Sequence, residues 1–222
     1  MSRSREIISS LVPSLILLPA LLLGTAGCED PAADKPKATV SSASTAATGA
    51  PNVAGDAFPI DAKSSSIGFT GSKVTGSHSG VFNTFTGSVK LAGDKPEGGS
   101  VNVEIDMASV KSDSEQLDGH LKNADFFDVA KYPKATFAST EVKAGGEKGA
   151  THTITGNLTL HGVTKSITVP ATINVSGDVI TATSEFSINR KDFGIAYAGK
   201  ADDLIRDDVV LKLSLKAPRK KG

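Results

Sequence analysis

Gly156-Asn157-Leu158-Thr159-Leu160-His161-Gly162-Val163-Thr164-Lys165-Ser166-Ile167-Thr168-Val169-Pro170 alternates apolar and polar side chains on both sides of a glycine turn. Leu158 and Leu160 are spaced between Asn157, Thr159 and His161, and Ile167 and Val169 between Ser166 and Thr168. A period of two marks a half-buried strand, so the stretch predicts a β-hairpin turning at 161–165 with one apolar face. The same period recurs in most segments after residue 57. Val101, Val103, Ile105 and Met107 alternate with Asn102, Glu104 and Asp106, and Val209, Leu211, Leu213 and Leu215 with Val210, Lys212, Ser214 and Lys216. Each strand therefore has a dry face that the fold must enclose.

Working outward, strands are expected at 66–71, 73–77, 81–91, 100–107, 135–143, 152–160, 165–175, 179–188 and 209–216. The folded part, 58–217, is long enough for one core and too short for two ordinary domains. An open sandwich would show the same alternation. Eight or so long strands with few helices to cover a face favour an all-β, eight-stranded antiparallel barrel, which also removes exposed edges. One segment breaks the pattern: Asp113 and Ser114 are capping residues, and Leu117 and Leu121 lie four apart, predicting a short helix over 115–123. Phe126 and Phe127 follow it, positioned either to plug one end of the barrel or to line a pocket there.

The chain before residue 58 reads differently. Arg3 and Arg5 precede an apolar run from Leu11 to Leu23, too short to span a membrane, and then the small residues Gly24, Thr25, Ala26 and Gly27, so 1–27 reads as an export signal. The run ends at Cys28, the single cysteine, which excludes an internal disulfide. Leu-Leu-Gly-Thr-Ala-Gly-Cys resembles the bacterial lipobox, with Thr25 where that motif usually carries Leu, and implies acylation of Cys28; simple cleavage near Ala26 is the competing reading. Residues 28–57, rich in Ala, Ser, Thr and Pro, are expected to form a flexible tether reaching roughly 30 Å. The protein is thus expected to be exported, periplasmic or at the cell surface, and lipid-anchored to a bacterial membrane. Basic and acidic residues balance at 24 each, and the basic tail 218–222 is short, so no nucleic-acid partner is expected.

Four motifs stand in order along the barrel region. They are Gly119-His120-Leu121-Lys122-Asn123-Ala124-Asp125-Phe126-Phe127-Asp128, Tyr132-Pro133-Lys134-Ala135-Thr136-Phe137, the hairpin start Gly156 to Lys165, and Asn189-Arg190-Lys191-Asp192-Phe193-Gly194-Ile195. Together they resemble the YceI-like family over about 160 residues. The resemblance implies a periplasmic or secreted, extended lipocalin-like barrel holding a long isoprenoid, a polyprenyl chain or quinone tail, in an apolar tunnel. The sequence departs from the family in carrying Gln116-Leu117-Asp118 where an Arg-Asp pair usually precedes the helix motif. Trp is absent throughout, unlike a true lipocalin.

Alternation alone does not choose between a filled interior and a tunnel, because an eight-stranded barrel can accommodate either. If the interior is hollow, the expected wall comprises Phe69, Phe82, Phe85, Val101, Val103, Ile105, Phe126, Phe127, Phe137, Ile154, Leu158, Phe186 and Phe193. His120, Lys122, Asn189 and Arg190 are head-group candidates, since a cation suits a phosphate or a quinone oxygen; for Arg190 a structural pair with Asp192 or a strand-end carboxylate is the competing role. One isoprene unit gains about 3–4 kcal/mol on leaving water, whereas exchange with a bilayer is near neutral and reversible. The expected partners are therefore an isoprenoid lipid and a membrane reached through the lipid anchor, with a homodimer left open.

The residue patterns favour no other chemistry. His78, His120, His152 and His161 show no metal-ligand spacing, and no nucleophile elbow or phosphate loop occurs, so neither a metal, a cofactor nor a catalytic residue is expected. The rival reading is a structural or stress-linked surface lipoprotein with a filled barrel and a protein partner.

Overall fold

The computed structural model describes residues 29–43 and 55–219. The expected signal segment 1–27, Cys28, residues 44–54 and the tail residues 220–222 lie outside the described residues. The elements in chain order are β1 (Thr39–Ser42), β2 (Ala57–Pro59), β3 (Ser66–Lys73), β4 (Gly76–Phe82), β5 (Phe85–Ala92), β6 (Lys95–Asp106), β7 (Val110–Ser112), α1 (Glu115–Lys122), β8 (Lys134–Ala144), β9 (His152–Leu160), β10 (Val163–Ser176), β11 (Val179–Asn189), β12 (Gly199–Lys200), β13 (Asp203–Leu204) and β14 (Asp208–Pro218).

The strand pairings form a ring. β4 and β5 make one bent path and β6 and β7 another, and these two paths pair along both halves, with Phe82 opposite Val110 and Phe85 opposite Ile105. The bends occur together: the Asp106 N–H donates to the Thr84 carbonyl at 3.0 Å, and the Thr84 N–H donates to Ser109 Oγ at 3.0 Å. From there the order runs through β8, β9, β10, β11 and β14 to β3, which pairs with β4 and closes the circuit. Counted as paths, this is the expected eight-stranded antiparallel barrel. The short β1, β2, β12 and β13 are additions that the alternation does not announce.

The β9–β10 hairpin shows how the sequence sets the register. Leu160 faces Val163, so the turn tightens to His161 and Gly162, both at positive φ, +51° and +74°. That geometry matches the twist of a two-residue hairpin. A Cβ on Gly162 would lie 2.3 Å from the Tyr132 ring, so glycine is required there for two reasons.

The expected tether is corrected for residues 29–43. They lie on the barrel, and the physical cause is a split in its wall. Ladder pairing between β10 and β11 covers only Thr172–Ser176 and Val179–Thr183. Beyond it, Ser184 Oγ donates to the carbonyl of Pro170, whose edge towards β11 has no N–H to offer. β1 enters this gap. It pairs antiparallel with Lys165 to Thr168 of β10, and on the other side the Ala38 N–H donates to the Ser187 carbonyl and the Ser187 N–H to Pro36 O, both at 2.8 Å. Ala38 is buried in the core and Val40 packs against it, so even this alanine-rich stretch alternates inward and outward. Residues preceding β1 cover the outward-facing Val210, which is 4 % exposed, and add the ion pairs Asp30–Arg206, Lys35–Glu185 and Lys37–Asp208. Such solvent-facing pairs contribute little individually, which leaves the strand pairing and two small apolar side chains as its main hold.

Ala38→Asp should therefore release β1 while the ring stays folded. Native-state hydrogen exchange is expected to show lost protection at the Ser187 amide and unchanged protection in the paired segment 172–176; equal loss at both would show that β1 is integral to the ring.

Candidate functional site

The inward faces of the ring do not fill it. A cavity of about 220 Å³ runs along the barrel interior, and among the described residues its lining is apolar except for Thr183, Ser184 and Arg190. A buried water needs roughly 10–15 Å³ of such space, so this is far more than a packing defect. Two features of the sequence produce it. Ala135, Ala171 and Ala182 occupy inward positions, where a larger side chain would close the bore. Ile105, Phe137, Leu158, Leu211 and Leu213 point inward yet are only partly buried, because they face the cavity rather than another side chain.

Eleven of the thirteen expected wall residues line this space: Phe69, Phe82, Val101, Val103, Ile105, Phe126, Phe127, Phe137, Ile154, Leu158 and Phe186. Phe85 and Phe193 do not, and this is a correction. Phe85 is buried in the packed core. Phe193 is fully buried at the end of the turn Arg190–Phe193, where its carbonyl lies 3.3 Å from His161 Nδ1. Ile67, Leu160, Ile167, Val169, Ile188, Leu211 and Leu213 also line the cavity beyond the expected wall, and the same alternation marks them.

The two ends of the barrel differ. At the end where β10 turns into β11, Leu91, Val142, Ile173, Ile180 and Ala217 pack as solid core and are absent from the cavity lining. At the opposite end, where β3, β6, β9 and β11 finish, separate segments form the cover. Leu121 of α1 and Phe126 and Phe127 after it face the cavity from above, together with Ile195 and Ile205. Phe127 packs on Phe69 and Phe82 at ring centroid distances of 6.5 and 5.9 Å, and Phe126 packs on Tyr197 at 5.4 Å.

The head-group candidates separate in the structure. Asn189 caps the Arg190–Phe193 turn through its Oδ1, which accepts from the Lys191 N–H at 2.9 Å. Arg190 touches the cavity, but its guanidinium faces the backbone: Nε donates to Arg206 O at 3.1 Å, Nη1 to Ile195 O at 2.8 Å and Nη2 to Ile205 O at 3.3 Å, with Asp207 Oδ1 also at 3.3 Å. Burial pushes this guanidinium down from its usual range, and the Asp207 charge opposes the shift. Its strand-end carboxylate partner is thus Asp207, and its geometry clasps the 195–207 segment over the barrel. His120 sits outside the lining, with Nε2 3.1 Å from Asp125 and its ring edge-on to Phe126 and Tyr197. Lys122 is half-exposed and also outside it. Among the described residues no three His, Cys, Asp or Glu side chains gather in a way that could hold a metal ion.

α1 is fixed over the cavity by one carboxylate. Ser114 Oγ accepts from the Leu117 N–H, and Asp118 binds Lys111 Nζ at 2.7 Å and Ser112 Oγ at 2.6 Å. The hydrogen bond and charge of Lys111, with the Ser112 hydroxyl and N–H, hold the Asp118 carboxyl at about 2. The helix ends one residue before the expected 123, because Asn123 turns extended as its C-cap.

A family model described as a YceI-like domain matches residues 58–217. A UPF0312 protein of Pseudomonas syringae pv. tomato is 39% identical over 141 residues, covering 60% of this chain and 71% of the relative. Among solved structures, BcnA of Burkholderia cenocepacia superimposes with a TM-score of 0.61 at 26% identity, over 71% of this chain and 99% of BcnA. A polyisoprenoid binding domain from Saccharophagus degradans superimposes with a TM-score of 0.59 at 19% identity, over 73% of this chain and 98% of that domain, and is similar in fold.

Because its folded-state pKa is depressed, Asp118 contributes stability above the ordinary carboxylate range near pH 4, and that contribution is lost as pH falls towards about 2. Asp118→Asn should melt at a lower temperature than the parent at pH 7 and converge with it near pH 2; thermal melts across that range, with parallel curves as the contrary result, provide the check.

Proposed function

The chain belongs to the YceI-like family, and from that premise we propose that it is a non-enzymatic binding protein whose barrel takes up one long isoprenoid, a polyprenyl chain or quinone tail, without a covalent bond. The observation that carries the reading is the apolar cavity, in whose lining, among the described residues, the one titratable side chain, Arg190, is turned onto backbone carbonyls. Among the described residues the other polar groups in the lining are the hydroxyls of Thr183 and Ser184, so such an interior binds mainly by exclusion of water. The S. degradans neighbour, described as a polyisoprenoid binding domain, supports the ligand class.

On this reading the protein stores or transports the isoprenoid beside a membrane. Transfer from bilayer to barrel exchanges one apolar surrounding for another, so uptake and release stay close to balance. In water the same chain would lose roughly 3–4 kcal/mol per isoprene unit, so the barrel never releases it to solvent. Export through residues 1–27 and acylation at Cys28 would keep the protein in the periplasm or at the cell surface, near its lipid source.

Organic extraction and mass spectrometry of protein purified from a bacterial membrane host should yield a polyprenoid in stoichiometric amount; recovery of acyl lipids alone, or of nothing, would refute the ligand class. Ala182→Phe projects a ring into the bore and is expected to abolish the bound lipid while the circular dichroism of the barrel is retained.

A further inference from the structure

Among the described residues, Val74, Val81 and Leu204 are the large apolar side chains most exposed, at 59, 40 and 50 %. Val74 and Leu204 come from distant parts of the chain and meet: the Val74 N–H donates to the Leu204 carbonyl at 3.2 Å, and Lys73 pairs with Ile205. Val74 sits in the turn between β3 and β4, and Leu204 ends the small β12–β13 hairpin. Both therefore project from the covered end of the barrel. Neighbouring charges are partly neutralised, Lys73 by Asp203 and Arg206 by Asp30.

Two further observations fix what this corner meets. The segment that continues the chain towards its N-terminus arrives here: Asp30 pairs with Arg206 at 3.3 Å, Arg206 N–H donates to Ser72 O at 2.8 Å, and Glu29, the residue after Cys28, lies in a recess with Thr70 and Val210. The corner also adjoins the cavity along the chain: Ile205, next to Leu204, and Gly71, three residues before Val74, both line it.

The geometry points to the Val74–Leu204 corner as the surface that rests on a lipid bilayer, with the docked segment 29–35, which begins one residue after Cys28, lying against the same end of the barrel. This inference deepens the reading of the protein as an anchored isoprenoid binder and depends on its membrane attachment. The anchor is then a short strut that directs the covered end of the cavity at the lipid, and the apolar corner sets orientation more than affinity. Isoprenoid would pass under the 195–205 segment without crossing water.

The chain has no Trp, so single-Trp variants report one position each. The full chain, purified from membranes and reconstituted on phosphatidylcholine–phosphatidylglycerol vesicles, is compared as Val74→Trp, Leu204→Trp and Asp178→Trp, the last in the turn at the opposite end. Brominated acyl chains should quench the first two strongly, with a blue shift, and leave the third unchanged. Equal quenching at all three, quenching only at position 178, or failure of the chain to float with vesicles would overturn the inference. Extraction of the same preparations reads the bound lipid separately, so a quenched corner on a lipid-free barrel would refute the ligand and keep the orientation.

Discussion

The structure depends on one constraint: a closed ring of hydrogen-bonded strands fixes the bore before any inward side chain is chosen. Eight strands leave an interior that side chains can just fill or that can hold one small ligand. Here the inward row alternates large residues such as Phe186 and Leu213 with alanines at 135, 171 and 182, and the sum falls short of filling the bore. The shortfall is written into positions whose backbone pairing cannot adjust, since moving one strand inward would break ladders on both of its edges. A helical bundle would collapse around the missing volume; a ring resists.

Asymmetry between the ends follows from how each is closed. The end at the β10–β11 turn is closed by side chains of the ring itself, including Ile180 and Ala217, both 1 % exposed. The other is closed by segments outside the ring, held by polar contacts at their roots: Asp118 under α1, and Arg190 clasping three carbonyls of the 195–206 stretch. Local opening concentrates where few ladders cross, so this cover is the part that can move without unfolding the wall. The buried arginine supports that division, being costly to uncover and bonded almost wholly to the backbone of the stretch it holds.

Much of this was legible in the sequence, and the exceptions have physical causes. Strict alternation located the long strands and most of the wall, because burial on one face leaves a period of two whatever the partners are. It did not tell which buried aromatics face the cavity: Phe85 and Phe193 obey the same local rule, and only the curvature of the ring and the Arg190–Phe193 turn send them into solid core. The tether expectation for 28–57 failed over 29–43 because composition measures what a segment can bury by itself. Ala38 and Val40 need only a prepared gap, and the gap results from the missing N–H of Pro170, far along the chain. Asn189 and Arg190 stand out in the sequence as polar residues in a motif; their partners, a local N–H and distant carbonyls, cannot be read from spacing.

β1 lies before residue 58, where the match to the family begins, yet it supplies part of the wall. A fragment cut at that boundary would carry an open seam, with unpaired main-chain groups along Lys165 to Thr168 on one lip and at Ser187 on the other. Exposed edges of that kind recruit whatever strand is nearest, including one from a second molecule. Excising the matched module 58–217 would thus exchange a self-sealed container for a sticky one, and oligomers formed by such a fragment would reflect the cut rather than the native protein.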